Sequence, residues 1–288
     1  MIVSEKMQEL SARKNEVVRD LFGARVNTRF ELQQVLRKIA KKHKISILSN
    51  AEILKIYREL TVSKEIKPRK SFEALLKKRA VRTLSGIAPV AVLTKPYPCP
   101  GNCAFCPTEK DVPQSYLSNE PAVMRAIRCG YNPFVQVQDR LRALINNGHN
   151  PTKIELIVIG GTWSYLPTKY KYWYVANLFK AANEFKDTRN KKQDTKKFQI
   201  PISKTQKELR NILLKEQKKN ERAKYNIVGL TLETRPDYIN HKELIEMREL
   251  GCTRVELGVQ VIDDHILKLN NRGHAVKEIA EATKLCAP

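Results

Sequence analysis

Four short apolar segments alternate with segments of helical periodicity. The apolar segments cover 87–93, 154–159, 227–232 and 254–259, and the helical patterns fall at 133–147, 168–186, 204–224, 241–250 and 275–285. This alternation indicates an α/β fold with a parallel sheet built from βα units. Because Pro89 cannot donate to a sheet ladder, we expect the first strand proper to begin at Val90. Charged residues and glycines follow each strand, where parallel α/β barrels carry their chemistry.

The first 80 residues have a different, all-helical pattern. Amphipathic periodicity predicts helices over 4–20, 30–45, 50–61 and 72–78, with Asn50 and Ser71 as helix caps. We therefore predict two domains, a small all-α domain over residues 1–80 and an α/β domain over residues 81–288.

Positive charge is concentrated in two segments. The chain has 53 Lys and Arg against 30 Asp and Glu, a formal charge of +23. Residues 1–86 hold 21 of these basic residues against 9 acidic ones, and residues 187–225 hold 13 against 5. Residues 187–203 lack periodicity and are predicted to form a basic loop. Two basic segments beside a nearly neutral body favour a polyanion such as nucleic acid as partner, over the alternative of solvated lysine-rich faces.

No apolar run approaches the roughly 18 residues that cross a bilayer. The N-terminus also lacks the basic start and apolar stretch of a signal peptide. We therefore expect a cytoplasmic protein with no membrane attachment. Because the cytosol keeps thiols reduced, its six cysteines are not expected to pair as disulfides.

Three cysteines lie within eight residues, in the spacing Cys99-x3-Cys103-x2-Cys106, directly after the first strand. Three converging thiolates make a soft metal site. Structural zinc needs four ligands, and Cys129 is a lone candidate for the fourth. An iron–sulfur cluster on three cysteines would leave one iron open to a small molecule. The spacing favours the cluster and leaves zinc open.

The cysteine spacing, with Phe105 before the last cysteine, resembles the signature of radical S-adenosylmethionine (SAM) enzymes. The surrounding sequence resembles the catalytic subunit of Elongator, a radical SAM family that modifies uridine 34 (U34) of tRNA. The stretches that carry this resemblance are 82–90, 93–101, 113–116, 124–127, 160–162, 233–237 and 256–260. The match spans roughly residues 75–288.

The resemblance implies a partial parallel (β/α) barrel with a [4Fe–4S] cluster on Cys99, Cys103 and Cys106, and SAM on the open iron. A 5′-deoxyadenosyl radical would activate acetyl-CoA, the co-substrate whose acetyl carbon builds a carboxymethyl group at C5 of U34. The residues implied for SAM are Gly160, Gly161, Thr162, Glu233, Arg235 and Gln260. Lys153 is implied for acetyl-CoA. Tyr116, Arg125 and Arg128 are placed along a substrate channel, while Arg272 and His274 are left without a role.

Two departures from the family bear on activity. The acetyltransferase domain is absent, and fewer strands are visible than the family's barrel contains, so the predicted barrel is C-terminally truncated. We therefore predict a fragment or one half of a split enzyme, with a partner chain supplying the rest. The main hypothesis is the radical SAM part of a tRNA-modifying acyltransferase. The alternatives are a catalytically silent tRNA-binding scaffold and a radical SAM enzyme with another substrate.

Overall fold

The four apolar segments form one parallel sheet with its strands in chain order. The computed structural model describes residues 2–187 and 199–287, so residues 188–198 of the predicted basic loop lie outside the described residues. The strands are β1 (Ala88–Leu93), β2 (Lys153–Ile159), β3 (Asn226–Thr234) and β4 (Arg254–Leu257). They pair in the order β1–β2–β3–β4, and all three pairings are parallel. The predicted α/β class with a parallel sheet is confirmed.

The first strand begins two residues earlier than predicted. Pro89 lies inside β1, opposite Glu155 of β2, so the expectation that the strand starts at Val90 is wrong. The reason is the position of β1 at the edge of the sheet. An edge strand has a neighbour on one side only, and proline is tolerated there when its nitrogen faces away from that neighbour.

The second compact unit contains the sheet and comprises residues 86–141 and 152–288. Its helices are α5 (Pro121–Arg128), α6 (Pro133–Asn146), α7 (Thr168–Asn183), α8 (Gln206–Asn220), α9 (His241–Glu249), α10 (Asp264–Leu269) and α11 (Val276–Cys286). Helix α6 ends in residues assigned to the other unit. The sequence patterns predicted five of these helices and did not predict α5 or α10, which have 8 and 6 residues.

A side chain completes the carboxyl end of β1. Gln136, buried on α6, accepts a hydrogen bond from the Leu93 N–H and donates one to the Leu93 carbonyl, both at 2.9 Å. Nearby, the Tyr170 hydroxyl on α7 accepts a hydrogen bond from the Lys95 N–H at 3.1 Å. These two contacts hold the start of the loop over residues 94–120, which carries the three closely spaced cysteines and is called the cysteine loop below.

The first compact unit comprises residues 1–85 and 142–151. Its helices α1 (Ile2–Gly23), α2 (Arg29–Lys42), α3 (Asn50–Val62) and α4 (Lys70–Leu76) enclose an apolar core in which the Tyr57 ring packs against Phe22 and Phe72. Residues 142–151 belong to this unit, and no sequence pattern suggested that.

Two predicted helix caps are wrong. Ser49, not Asn50, caps α3, in a capping box with Glu52. Asn50 is the first residue of the helix, and its side chain donates to the Leu76 carbonyl instead. Helix α4 begins at Lys70, before Ser71, and its N-cap Arg69 makes no side-chain capping bond.

None of the helices in the described parts of the chain is long and apolar enough to cross a membrane.

Candidate functional site

The carboxyl ends of the strands surround a pocket in the second unit. The side chains of Cys99, Cys103 and Cys106 line this pocket together with Glu233 at the end of β3. Parallel strands bring the residues that follow them to one edge of the sheet. We refer to this site as the cysteine pocket. Of the ten residues implied for the cluster, SAM or acetyl-CoA, eight line it: Cys99, Cys103, Cys106, Gly161, Thr162, Glu233, Arg235 and Gln260.

The three cysteines are free and partly buried. The Gly101 N–H donates to the Cys99 sulfur at 3.4 Å, and the Cys106 sulfur lies 2.8 Å from the Ser115 hydroxyl. Among residues 2–187 and 199–287, no group of three or more His, Cys, Asp or Glu side chains is close enough to hold a single metal ion. An iron–sulfur cluster does not require the three sulfurs to meet at one ion, because each thiolate binds a separate iron atom.

Arg235 is buried and lies beneath the cysteine loop. Its Nε and Nη2 form a bidentate ion pair with Asp237 at 2.9 and 2.8 Å. Its Nη1 points to the Cys103 sulfur at 4.0 Å. A β-carbon at position 101 would overlap that nitrogen, so Gly101 provides the room for the guanidinium.

Arg272 also lines this pocket, although sequence analysis gave it no role. It is 7% exposed, and its Nη1 donates to the Cys103 sulfur at 3.4 Å. Its Nη2 donates to the Gly258 carbonyl. The sequence signal was the motif Asn271-Arg272-Gly273-His274, in which Gly273 has a positive φ of 78°.

Glu233 is half-buried and bonded to a tyrosine from the cysteine loop. The Tyr116 hydroxyl donates to Glu233 Oε2 at 3.2 Å. Burial raises the pKa of Glu233, and the nearby Glu256 carboxylate raises it further. Burial, together with the charge of Glu233, also raises the pKa of Tyr116, so the tyrosine remains a neutral donor.

The two glycines after β2 have different surroundings. Gly161 has a φ of 83° and lines the pocket, followed by the buried Thr162. Gly160 has a φ of 124°, and a β-carbon there would overlap Thr94 Oγ1. The Thr94 hydroxyl donates to the Gly160 carbonyl at 2.8 Å. Gly160 therefore lets the turn after β2 approach the turn after β1 and does not line the pocket.

Gln260 lines the pocket with a left-handed backbone. Strand β4 ends at Leu257, before the predicted Val259, because the chain turns at Gly258 and Val259. Gln260 has a φ of 70°. A non-glycine residue in this region costs about 1–3 kcal/mol and is held there by its surroundings.

Four predicted side chains lie elsewhere. Lys153 is exposed at the amino end of β2, the opposite end of that strand from the cysteine pocket. On α5, Arg125 is half-buried and Arg128 is exposed, and both donate to carbonyls of their own helix. Cys129, the candidate fourth zinc ligand, donates to Asp139 at 3.7 Å, and burial raises its pKa to about 11.

The chain is similar to curated proteins named tRNA uridine(34) acetyltransferase and Elongator complex protein 3. The tRNA uridine(34) acetyltransferase of Methanocaldococcus infernus is 39% identical over 262 residues, covering 88% of this chain and 43% of that protein. The tRNA uridine(34) acetyltransferase of Dehalococcoides mccartyi is 42% identical, and the match covers 72% of this chain and 40% of that protein. Elongator complex protein 3 of Schizosaccharomyces pombe is 34% identical, and the match covers 94% of this chain and 47% of that protein. This chain thus spans less than half the length of these relatives.

A solved structure of archaeal Methanocaldococcus infernus Elp3 with an N-terminal deletion is 34% identical. The alignment covers 68% of this chain and 34% of the chain in the solved structure, with a TM-score of 0.48. The family model of the Radical SAM superfamily matches residues 97–287, which include all three cysteines and the carboxyl ends of β2, β3 and β4. The resemblance seen in the sequence motifs is thereby confirmed, and the chain belongs to the radical SAM superfamily.

Proposed function

We propose that this chain is the radical SAM part of an enzyme that modifies the wobble uridine, U34, of tRNA. One observation carries the proposal: the three closely spaced cysteines meet Glu233 and Gln260 in one pocket at the carboxyl ends of parallel strands. The names of the relatives, tRNA uridine(34) acetyltransferase and Elongator complex protein 3, support the substrate.

The residues of the pocket fit a [4Fe–4S] cluster, which the superfamily implies together with SAM. Three free thiols offer the soft ligands that iron–sulfur clusters take. Two buried guanidiniums, of Arg235 and Arg272, offset the negative charge that thiolates would bring. When bound, the cluster would supply the electron that cleaves SAM to a 5′-deoxyadenosyl radical.

We assign the contacts to SAM as follows. Gly161 and Thr162 present backbone to the pocket because the glycine has no side chain to block it. The Glu233 carboxylate can accept from ribose hydroxyls or an ammonium group, and the Gln260 amide can accept or donate. Because Asp237 occupies Nε and Nη2 of Arg235, a SAM carboxylate would meet that arginine at Nη1.

We further propose that acetyl-CoA is the co-substrate and that its acetyl carbon becomes the carboxymethyl carbon at C5 of U34. Lys153 remains the predicted contact with acetyl-CoA. Its place at the amino end of β2 puts that contact away from the cysteine pocket. A Lys153→Ala variant should therefore lose acetyl-CoA-dependent product and keep SAM cleavage. A partner chain that supplies further barrel strands and an acetyltransferase domain stays a prediction, as does the cytoplasmic location.

The basic segments are the proposed contacts with tRNA. The first unit contributes exposed basic residues of α2, among them Arg37, Lys38 and Lys41. In the second unit, Lys215, Arg222 and Lys224 line an open hollow beside the end of α8. Lys and Arg at such surfaces bind phosphates without reading the sequence.

The experiment that tests this function is anaerobic. The protein is reconstituted with iron and sulfide, reduced with dithionite, given SAM, and assayed for 5′-deoxyadenosine with and without tRNA. We expect product above that of a Cys103→Ala control, with stimulation by tRNA. A fully loaded cluster that yields no 5′-deoxyadenosine would instead favour the tRNA-binding scaffold.

A further inference from the structure

The three cysteines of the pocket have unequal surroundings. Cys99 is contacted by the Gly101 N–H, and Cys106 by the Ser115 hydroxyl. Cys103 is approached by two guanidiniums, Arg272 Nη1 at 3.4 Å and Arg235 Nη1 at 4.0 Å. Both guanidinium contacts are thus made to one of three chemically identical sulfurs.

The two arginines are held as a unit. Arg235 Nη2 donates to the backbone carbonyl of Arg272 at 2.8 Å, and Asp237 pairs with the same guanidinium. Arg272 Nη2 in turn donates to the Gly258 carbonyl. A β-carbon at Gly258 or Gly273 would lie 2.9 Å from a guanidinium nitrogen, so both glycines leave space for these side chains. This arrangement fixes the position of Arg272 relative to Cys103.

Within the described residues, Arg272 donates no hydrogen bond to a carboxylate. Its hydrogen bonds go to a carbonyl oxygen and a sulfur, and within the described residues its Nε has no hydrogen-bond partner. A buried charge is costly unless an opposite charge lies close to it. The Cys103 sulfur, a thiolate when it binds iron, is in direct contact with Arg272, and the Glu233 carboxylate interacts with the same guanidinium without a hydrogen bond.

We propose that Arg272 is a positioning residue that tunes the cluster through Cys103. This inference rests on the proposed function, because it requires a cluster on the three cysteines. Hydrogen bonds and positive charge at a cluster sulfur stabilise the reduced form, which carries one more negative charge. Arg272 therefore makes the cluster easier to reduce, and Arg235 acts mainly by holding Arg272.

The test is an EPR-monitored redox titration of the whole reconstituted chain without SAM. The variants are Arg272→Gln, which removes the charge, and Arg272→Lys, which keeps it. Lys277→Gln removes one charge from an exposed side chain of α11 and serves as the control. We expect Arg272→Gln to disfavour reduction about tenfold, a midpoint lower by about 59 mV for one electron. Arg272→Lys should fall between this variant and the parent, and Lys277→Gln should match the parent.

Each outcome decides between the inference and its alternatives. If the parent protein takes up no cluster, the proposed function itself fails. If Arg272→Gln loads fully and keeps the parent midpoint, the tuning role is overturned. If Arg272→Gln does not take up the cluster, the Arg272→Lys variant decides. Cluster uptake by Arg272→Lys with a midpoint potential near that of the parent upholds a charge effect. Failure of Arg272→Lys to take up the cluster shows that Arg272 only shapes the loop.

Discussion

Tyr116 donates a hydrogen bond to Glu233 across 3.2 Å and thereby joins the cysteine loop to the end of β3. The tyrosine stays protonated because burial raises its pKa. Burial also raises the pKa of Glu233, while the hydrogen bond from Tyr116 opposes that rise. The hydrogen bond from Tyr116 therefore favours the carboxylate form of Glu233.

This relationship predicts how SAM binding depends on pH. A group whose pKa is raised takes up a proton at a higher pH than usual, so binding to the Glu233 carboxylate should weaken as pH falls through that pKa. Tyr116→Phe removes the opposing hydrogen bond, so its loss of binding should occur at a higher pH. Calorimetric titration of SAM into the reconstituted protein between about pH 8 and pH 5 measures this shift. Glu233→Gln should bind weakly at every pH, and identical profiles for the parent and Tyr116→Phe would contradict the assignment.

Gly101→Ala should disturb the cysteine loop. The new β-carbon would overlap Arg235 Nη1, which cannot move easily because Asp237 holds the guanidinium. Overpacking of this kind costs about 1–3 kcal/mol. We expect a lower melting temperature and less bound iron after reconstitution. Gly23→Ala is the matched control, since nothing lies within 4 Å of its added carbon; equal iron content in both variants would refute the prediction.

The buried Lys171 should be important for stability. Its ammonium pairs with Glu243 at 2.8 Å and Glu246 at 3.0 Å, and the lysine side chain is 2% exposed. Lys171→Ala would leave two neighbouring carboxylates without a cation, which typically costs about 3–5 kcal/mol. Urea unfolding measures this loss. The control Lys277→Ala breaks only an exposed pair with Glu281 and should change the free energy of unfolding by less than about 0.5 kcal/mol.

Removing positive charge from the side chains that line the hollow beside α8 should weaken tRNA binding and reduce its dependence on salt. The triple variant Lys215→Gln, Arg222→Gln and Lys224→Gln removes three candidate phosphate contacts. The slope of log K against log salt should become shallower by about 2–3. Fluorescence anisotropy at several salt concentrations gives this slope. A triple change of the exposed Lys242, Lys277 and Lys284 loses the same charge elsewhere, and an equal effect there would point to net charge alone.

Periodicity predicted the sheet because each strand is a short apolar run bounded by polar residues. It did not predict α5 and α10, because helices of 8 and 6 residues carry too few turns for a periodic pattern. It placed the end of β4 too late, since the apolar Val259 was counted with the strand although the chain turns at Gly258, where the Val259 N–H bonds back to the Leu257 carbonyl.

The site was predicted where residue type alone defines the chemistry. Cysteines at this spacing after a strand indicate a metal centre whatever conformation the loop adopts. Arginines are harder to interpret, because a guanidinium can meet a ligand, an acid or a sulfur. Arg235 is two residues from Asp237, yet only the fold shows that this pair lies under Cys103. Gly160 looked like a ligand-facing glycine, whereas the close partner in the fold is Thr94 from another turn.

The Gln136 amide occupies the backbone N–H and carbonyl of Leu93 at the carboxyl end of β1. An adjoining strand would offer Leu93 one acceptor and one donor, and the amide already supplies both. The carboxyl end of β1 is therefore closed to recruitment by another backbone, a hazard that exposed sheet edges ordinarily carry. Self-association through the β1 edge is blocked next to the cysteine loop, where it would obstruct the pocket.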